Sequence, residues 1–405
     1  MDFIFCIVLS VILIIQIYKG DGRFSNIVML GFLLRIAVMV VDLNQWFTVL
    51  HSGGDTENFH LIALRNNITG SGDSLTNYTS FLTLVYSIFM EGNPRMVAQF
   101  INVVFGTGAV LIVRRCVRLL GAPQRIQRIV IMLAAFLPEM IILSSILLRE
   151  AWVQFFVALS LLYFLKWFLR SGNSMFNMAA SVAAVFVASY MHPGVIGFAV
   201  GYFVAFIFYN PKAQRLKISF MSIFMIVAMF GVVTMFVANM DIFGDKFTEV
   251  ALEEEYIEEQ FTDIQYDEDA GSTYMQWLDT SSLLVGVAAL PLRMFYFMFS
   301  PLPFDWRGMS DIIAFMLDAL VNLWLFWKIV RTGTKSPMMK RLRIFLLVGI
   351  LLTTAIFALG TTTSGTAMRH RTKFRSVLLV TYAVSQTAAC TQSRKKKRYS
   401  KPVVV

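Results

Sequence analysis

"LAAFLPEMIILSSILLREAWVQFFVALSLLYFL", residues 133–165, decides the fold. Two apolar runs, 129–147 and 151–168, are separated by little more than Arg149 and Glu150. Each run is continuous Leu, Ile, Phe, Met and Val, without the alternation a barrel strand needs. Only a segment that satisfies its own backbone hydrogen bonds can cross hydrocarbon. The pair therefore reads as a helical hairpin that enters and leaves a bilayer.

The pattern repeats along the chain. Further apolar runs fall at 3–18, 25–41, 96–113, 175–191, 194–209, 218–238, 309–327, 344–360 and 376–390. The 405 residues are 57% hydrophobic and 15% charged, where soluble domains carry about 25% charged residues. The expected fold is all-α, a polytopic transmembrane helical bundle of about eleven helices with external interfacial helices. Residues 1–390 form the transmembrane domain, with external loops 42–95 and 239–308, and 391–405 form a basic cytoplasmic tail. Cys6, Cys116 and Cys390 are far apart and show neither a disulfide framework nor zinc spacing. The run 3–18 lacks a basic flank and a small-residue cleavage site, so it reads as a retained helix.

Loop charge sets the orientation. "KGDGR" (19–23), "RRCVRLLGAPQRIQR" (114–128), "KWFLR" (166–170), "NPKAQRLK" (210–217) and "KIVRTGTKSPMMKRLR" (328–343) are basic, hence cytoplasmic. The loop 239–282 has thirteen acidic residues against one lysine, Lys246, hence external. These assignments agree only if 78–90 and 283–304 do not span. Pro291, Pro301, Pro303 and Arg293 suit an interfacial or re-entrant segment in the second. The net charge of +10 then reflects topology and not nucleic-acid binding. The tail "SRKKKRYSK" (393–401) fits a cluster facing anionic membrane lipids.

This threading puts "GTTTSGTAMRHRTKFR" (360–375) outside, where orientation does not explain its cations. Either a bound anion or snorkelling to lipid phosphates would. Other polar groups reach the same face. "HSGGDTENFHLIA" (51–63) carries Asp55, Glu57 and His60, and Asp55 also suits a helix cap. Arg149 and Glu150 sit at the hairpin turn, and His192 in "YMHPG" (190–194) reads as a polar turn residue. Arg293 lies among interfacial aromatics in "LPLRMFYFMFSPLPFDWRG" (290–308). Within the bilayer stand Arg35, Glu139 and Asp318, expected to pair with each other or face a cavity.

The order of "GGDTENFHLIA", the 133–165 hairpin and "SGTAMRHRTKF" (364–374) resembles the GT-C superfamily of polytopic glycosyltransferases. The likeness is to bacterial protein-mannosyltransferase and lipopolysaccharide-core glycosyltransferase members. It implies a polyprenyl-phosphate sugar donor, a glycan or lipid acceptor of the cell envelope, and a bacterial cytoplasmic (inner) membrane. By resemblance, Asp55 is the catalytic acid residue and Glu57 a second acid or a ligand, with Asp55, for a divalent metal ion. Arg369, His370 and Arg371 meet the lipid phosphate, Arg149 and Glu150 shape the site, and His60, His192 and Arg293 are further candidates. The family often has adjacent acids, whereas this chain has Asp-x-Glu.

The chemistry asks for the same residue types. An attacking sugar hydroxyl needs a carboxylate to take its proton. A departing phosphate needs cations, and arginine binds it through two parallel hydrogen bonds. Two other readings stay open. One is a polysaccharide polymerase or ligase using lipid diphosphate-linked glycans. The other is a non-enzymatic transporter or a subunit among polysaccharide-synthesis proteins, where Arg35, Glu139 and Asp318 would matter more.

Overall fold

The structure, a computed structural model, describes residues 1–19, 22–72, 76–216, 273–275, 288–332 and 336–399. The run 218–238 and most of the acidic loop 239–282 lie outside the described residues. The apolar runs become helices α1 (Asp2–Tyr18), α2 (Ser25–Leu43), α5 (Pro94–Leu119), α6 (Gln124–Phe136), α7 (Pro138–Ile142), α8 (Glu150–Phe168) and α9 (Ser174–Met191). They continue as α10 (Gly197–Phe208), α12 (Met309–Arg331), α13 (Pro337–Leu359) and α15 (Arg375–Tyr399). Between them lie α3 (Gly54–Thr69), α4 (Asn77–Phe89), α11 (Leu290–Phe299) and α14 (Ser364–Thr372). One short ribbon pairs Tyr209–Asn210 with Arg215–Leu216. Among the described residues six helices, α2, α5, α8, α9, α12 and α13, are long and apolar enough to cross a membrane. The chain is an all-α, multi-pass membrane protein.

Side chains tie the helix ends into two opposite faces. At one, basic residues satisfy carbonyls at helix ends and in loops. Arg114 donates to Ile17 O at 2.9 Å, Arg118 to Arg23 O at 3.3 Å, and Arg343 to Thr332 O at 2.6 Å. At the other, here called the mouth, Asp2 accepts from Asn93 N at 2.5 Å and Asn77 donates to Tyr190 O at 2.6 Å. Both ends of the 77–93 stretch are thus held at the mouth, so α4 does not cross. It pairs with α3 through polar contacts: His60 Nδ1 lies 2.7 Å from Tyr86 Oη and Asn67 donates to Thr83 O at 3.0 Å.

The 283–304 stretch behaves as a re-entrant segment where it is described. α11 runs down the end of α13, with Arg293 donating to Leu359 O at 3.3 Å and Met298 Sδ 3.6 Å from Thr354 Oγ1. The chain then turns back, and Arg307 reaches Thr273 O at 2.8 Å.

The 129–147 run, expected as one span, is broken. Pro138 has no N–H, so α6 ends and α7 begins. Arg35 repairs the break. Fully buried, it donates to Gly31 O (2.9 Å), Ser144 Oγ (2.8 Å), Ala135 O (3.2 Å) and Met140 O (3.4 Å). It pairs with neither Glu139 nor Asp318, so the first of the two expected arrangements, mutual pairing, does not hold. Glu139 meets His51 at 3.1 Å. Asp318 lies in a π-helical turn, Phe315–Ala319, and meets arginines from α14 and α15. α10 and α13 approach closely through glycines: a Cβ on Gly201 would stand 2.8 Å from Gly349 Cα.

Candidate active site

The start of α3 is built by four side chains from other helices and turns. Gly53 adopts φ of +113°, which favours glycine, and lets the chain turn into the helix. The cap is Gly53 with Thr56, whose Oγ1 accepts from Gly53 N at 2.9 Å; Asp55 is therefore free of the capping duty its position allowed. Ahead of the turn, Ser52 Oγ donates to Asp42 Oδ1 at 2.5 Å, and Gln99 Nε2 to Asp42 Oδ2 at 2.6 Å. Behind it, Arg95 grips Glu57 with two bonds, 2.7 and 3.1 Å. Residues two apart on a helix point roughly 200° apart. Locking Glu57 to α5 therefore turns Asp55 the other way.

It turns to Arg369. Arg369 Nη1 donates to Asp55 Oδ2 at 2.5 Å, and Arg369 Nε donates to Glu150 Oε1 at 2.6 Å. Asp55 is 53% exposed at its side chain and Glu150 is wholly buried, so the guanidinium bridges solvent and interior. Glu150 Oε1 also lies 3.5 Å from Lys373 Nζ. Lys373 Nζ is 2.6 Å from His370 Nδ1, and His370 lies against Phe357 with ring centroids 4.8 Å apart. His192 packs edge-on to His370 at 4.8 Å.

Burial opposes charge here, and the carboxylates decide where charge survives. Burial alone would lower Arg369, but Glu150 and Asp55 outweigh it and hold the guanidinium above its ordinary pKa. Arg149 is lowered by burial, with Glu150 opposing. His370 and His192 are pushed well below the ordinary imidazole value by burial, with Lys373 adding to it, so both rings are neutral.

A solved structure shares this architecture. The archaeal oligosaccharyltransferase AglB from Archaeoglobus fulgidus, in complex with an inhibitory peptide and a dolichol-phosphate, matches at TM-score 0.50 and 14% identity, covering 96% of this chain. That likeness is one of fold. A second structure, the oligosaccharyltransferase of the same organism with Zn and sulfate, gives TM-score 0.49, 14% identity and 92% coverage. The chain spans about half of those proteins, 52% and 50%. No family model matches the sequence, and no curated protein shows significant similarity to it.

Within this fold, Asp55, Arg149, Glu150, Arg369, His370 and His192 gather around one point of the mouth, and others expected with them do not. Arg371 was expected at the phosphate. It points inward, donating to Asp318 Oδ2 (2.5 Å), Phe297 O (2.9 Å) and Ser300 O (2.5 Å), because it lies on the opposite side of α14 from Arg369. Glu57 was expected as partner acid or metal ligand with Asp55. It is engaged by Arg95, and among the described residues no three His, Cys, Asp or Glu side chains gather as a metal site. His60 is engaged by Tyr86, and Arg293 lies beside Leu359. Asp42 and Arg95 were not singled out in the sequence, and Lys373 counted there only as one of the cations of 360–375. Lys373 had a signal: it follows Arg369 by four residues and so shares its helical face.

Proposed function

We propose that the protein is a membrane glycosyltransferase. It moves a sugar from a polyprenyl-phosphate donor to a cell-envelope glycan or lipid acceptor, at the face opposite the basic loops. By the positive-inside rule that face is external and the carboxy terminus is cytoplasmic; the bacterial cytoplasmic membrane is what the family resemblance implies. The AglB structure is a complex with a dolichol-phosphate and a peptide, which suits a lipid-linked donor meeting an acceptor at one site.

The observation that carries this reading is the Asp55–Arg369 contact at 2.5 Å, made between residues 314 apart in sequence and backed by buried Glu150. In the reaction the acceptor hydroxyl attacks the anomeric carbon and loses its proton to Asp55. The carbon–oxygen bond to phosphate breaks with inversion, and the electron pair stays on the departing lipid phosphate. Arg369 and Arg149 stabilise that charge. In the resting protein Asp55 occupies Arg369. An incoming phosphate competes for the same terminal nitrogens, so donor binding would release the carboxylate for proton transfer.

The test is transfer by the purified protein from polyprenyl-phosphate sugars, read as released polyprenyl phosphate, with mass spectrometry of copurified lipid naming the donor class. Asp55→Asn should cut transfer roughly 10²–10⁴-fold while the protein stays folded. Full activity in that variant, or a lipid diphosphate as the copurified donor, would overturn the reading.

A further inference from the structure

An arginine serves a phosphate only if its fork is aimed, and the aiming parts lie beneath Arg369. Glu150 Oε1 takes Arg369 Nε at 2.6 Å, and the same oxygen lies 3.5 Å from Lys373 Nζ. Lys373 is completely buried, 2.6 Å from His370 Nδ1 and 5.5 Å from the Phe357 ring centre. His370 is itself packed between Phe357 and His192. Two buried atoms beside this chain of contacts, Glu150 Oε2 and His192 Nδ1, have no hydrogen-bond partner among the described residues. A wholly buried lysine is costly, and its one carboxylate partner among the described residues is the residue that anchors Arg369.

We propose that Lys373 is a positioning residue of the lipid-phosphate site: backed by His370, it holds Glu150 so that Arg369 stays anchored by its Nε edge while its terminal nitrogens exchange Asp55 for phosphate. This rests on the donor reading above. A protonated Lys373 shares the charge of Glu150 and leaves the charge of Arg369 for the ligand. A neutral Lys373 leaves Glu150 to consume it.

The surroundings make that balance sensitive to pH. The groups facing Lys373 are Glu150 and Arg149 at the head of α8, Arg369 and His370 on α14, and His192 after α9. Burial lowers Lys373 well below the ordinary lysine value, Glu150 opposes this, and Arg149 and Arg369 add to it. The cationic form is lost as pH rises. Anion affinity is therefore highest at low pH and falls as Lys373 deprotonates.

The probe is the methyl ester of a short-chain polyprenyl phosphate, a phosphodiester with a single charge at every pH used. Binding to the full chain in detergent is measured by calorimetry across pH. The wild type should lose affinity as pH rises. Lys373→Met should bind about tenfold more weakly at low pH, the loss of one charge-assisted contact, with a flat profile. Lys373→Arg should bind like the low-pH wild type, also with a flat profile. Wild-type affinity in Lys373→Met, or a surviving pH slope in Lys373→Arg, overturns the proposal, and the arginine variant decides it if the methionine variant does not fold. A wild type that binds no probe at any pH sinks the donor reading itself, whereas a binding wild type with unaltered variants sinks this inference alone.

Discussion

Arg369 and Arg371 stand two residues apart on α14 and meet opposite surroundings. Arg369 joins half-exposed Asp55 to buried Glu150. Arg371 is 1% exposed and closed on all sides by Asp318, Phe297 O and Ser300 O. Arg375, one turn on, closes onto the same Asp318 and onto Asn322. One cluster has a partner that solvent or a ligand can replace, and the other has none. Exchangeability, more than charge, separates a binding cation from a structural one. The interior cluster also has a task of its own: it pins the turn after α11 to α12 and α15, which keeps the re-entrant segment in place.

The comparison can be broken at several points, from the largest effect down. Asp318→Ala leaves two arginines buried without a carboxylate and should cost about 3–5 kcal/mol, read as loss of folded protein in detergent. A variant that melts like wild type would show that the interior cluster is not structural. Arg35→Met should cost about 1–3 kcal/mol by stranding the carbonyls around the Pro138 break, read as a lowered Tm. Asp55→Asn should tighten binding of polyprenyl phosphate several-fold while transfer is lost, because a competitor for Arg369 is removed. Weaker binding would contradict the exchange. Glu57→Gln, at a half-exposed ion pair, should change stability by only about 1 kcal/mol and leave lipid affinity unaltered. A tightening equal to that of Asp55→Asn would show a general field effect in place of a specific exchange.

Much of the architecture was legible because hydrocarbon enforces it. Continuous apolar runs such as 96–113 and 344–360 lie within α5 and α13 to within a residue at the run's end, and the proline-rich 290–304 stretch turns back as its prolines demand. The break at Pro138 was visible as a residue, but the arginine that repairs it comes from α2, about a hundred positions away. Reading Asp55 with the 369–371 cations brought the right segments together, yet it could not separate Arg369 from Arg371. Which stripe of α14 faces the mouth depends on how that helix packs against α7, α8 and α11. The four-residue spacing does sort "RHRTKFR" into two stripes, Arg369 with Lys373 and Arg371 with Arg375. Likewise Asp55 and Glu57 read as a pair in sequence, and the helix sends them apart. The network around Asp42 could not be inferred, since Ser52, Gln99 and Arg95 meet it only in three dimensions.

The most direct measurement is a cryo-electron microscopy structure of the full chain with polyprenyl phosphate in nanodiscs. Phosphate oxygens should lie within hydrogen-bond distance of the terminal nitrogens of Arg369, with Asp55 detached from it and Glu150 still on Nε. Phosphate held elsewhere, or an Asp55–Arg369 contact intact beside bound lipid, would contradict it.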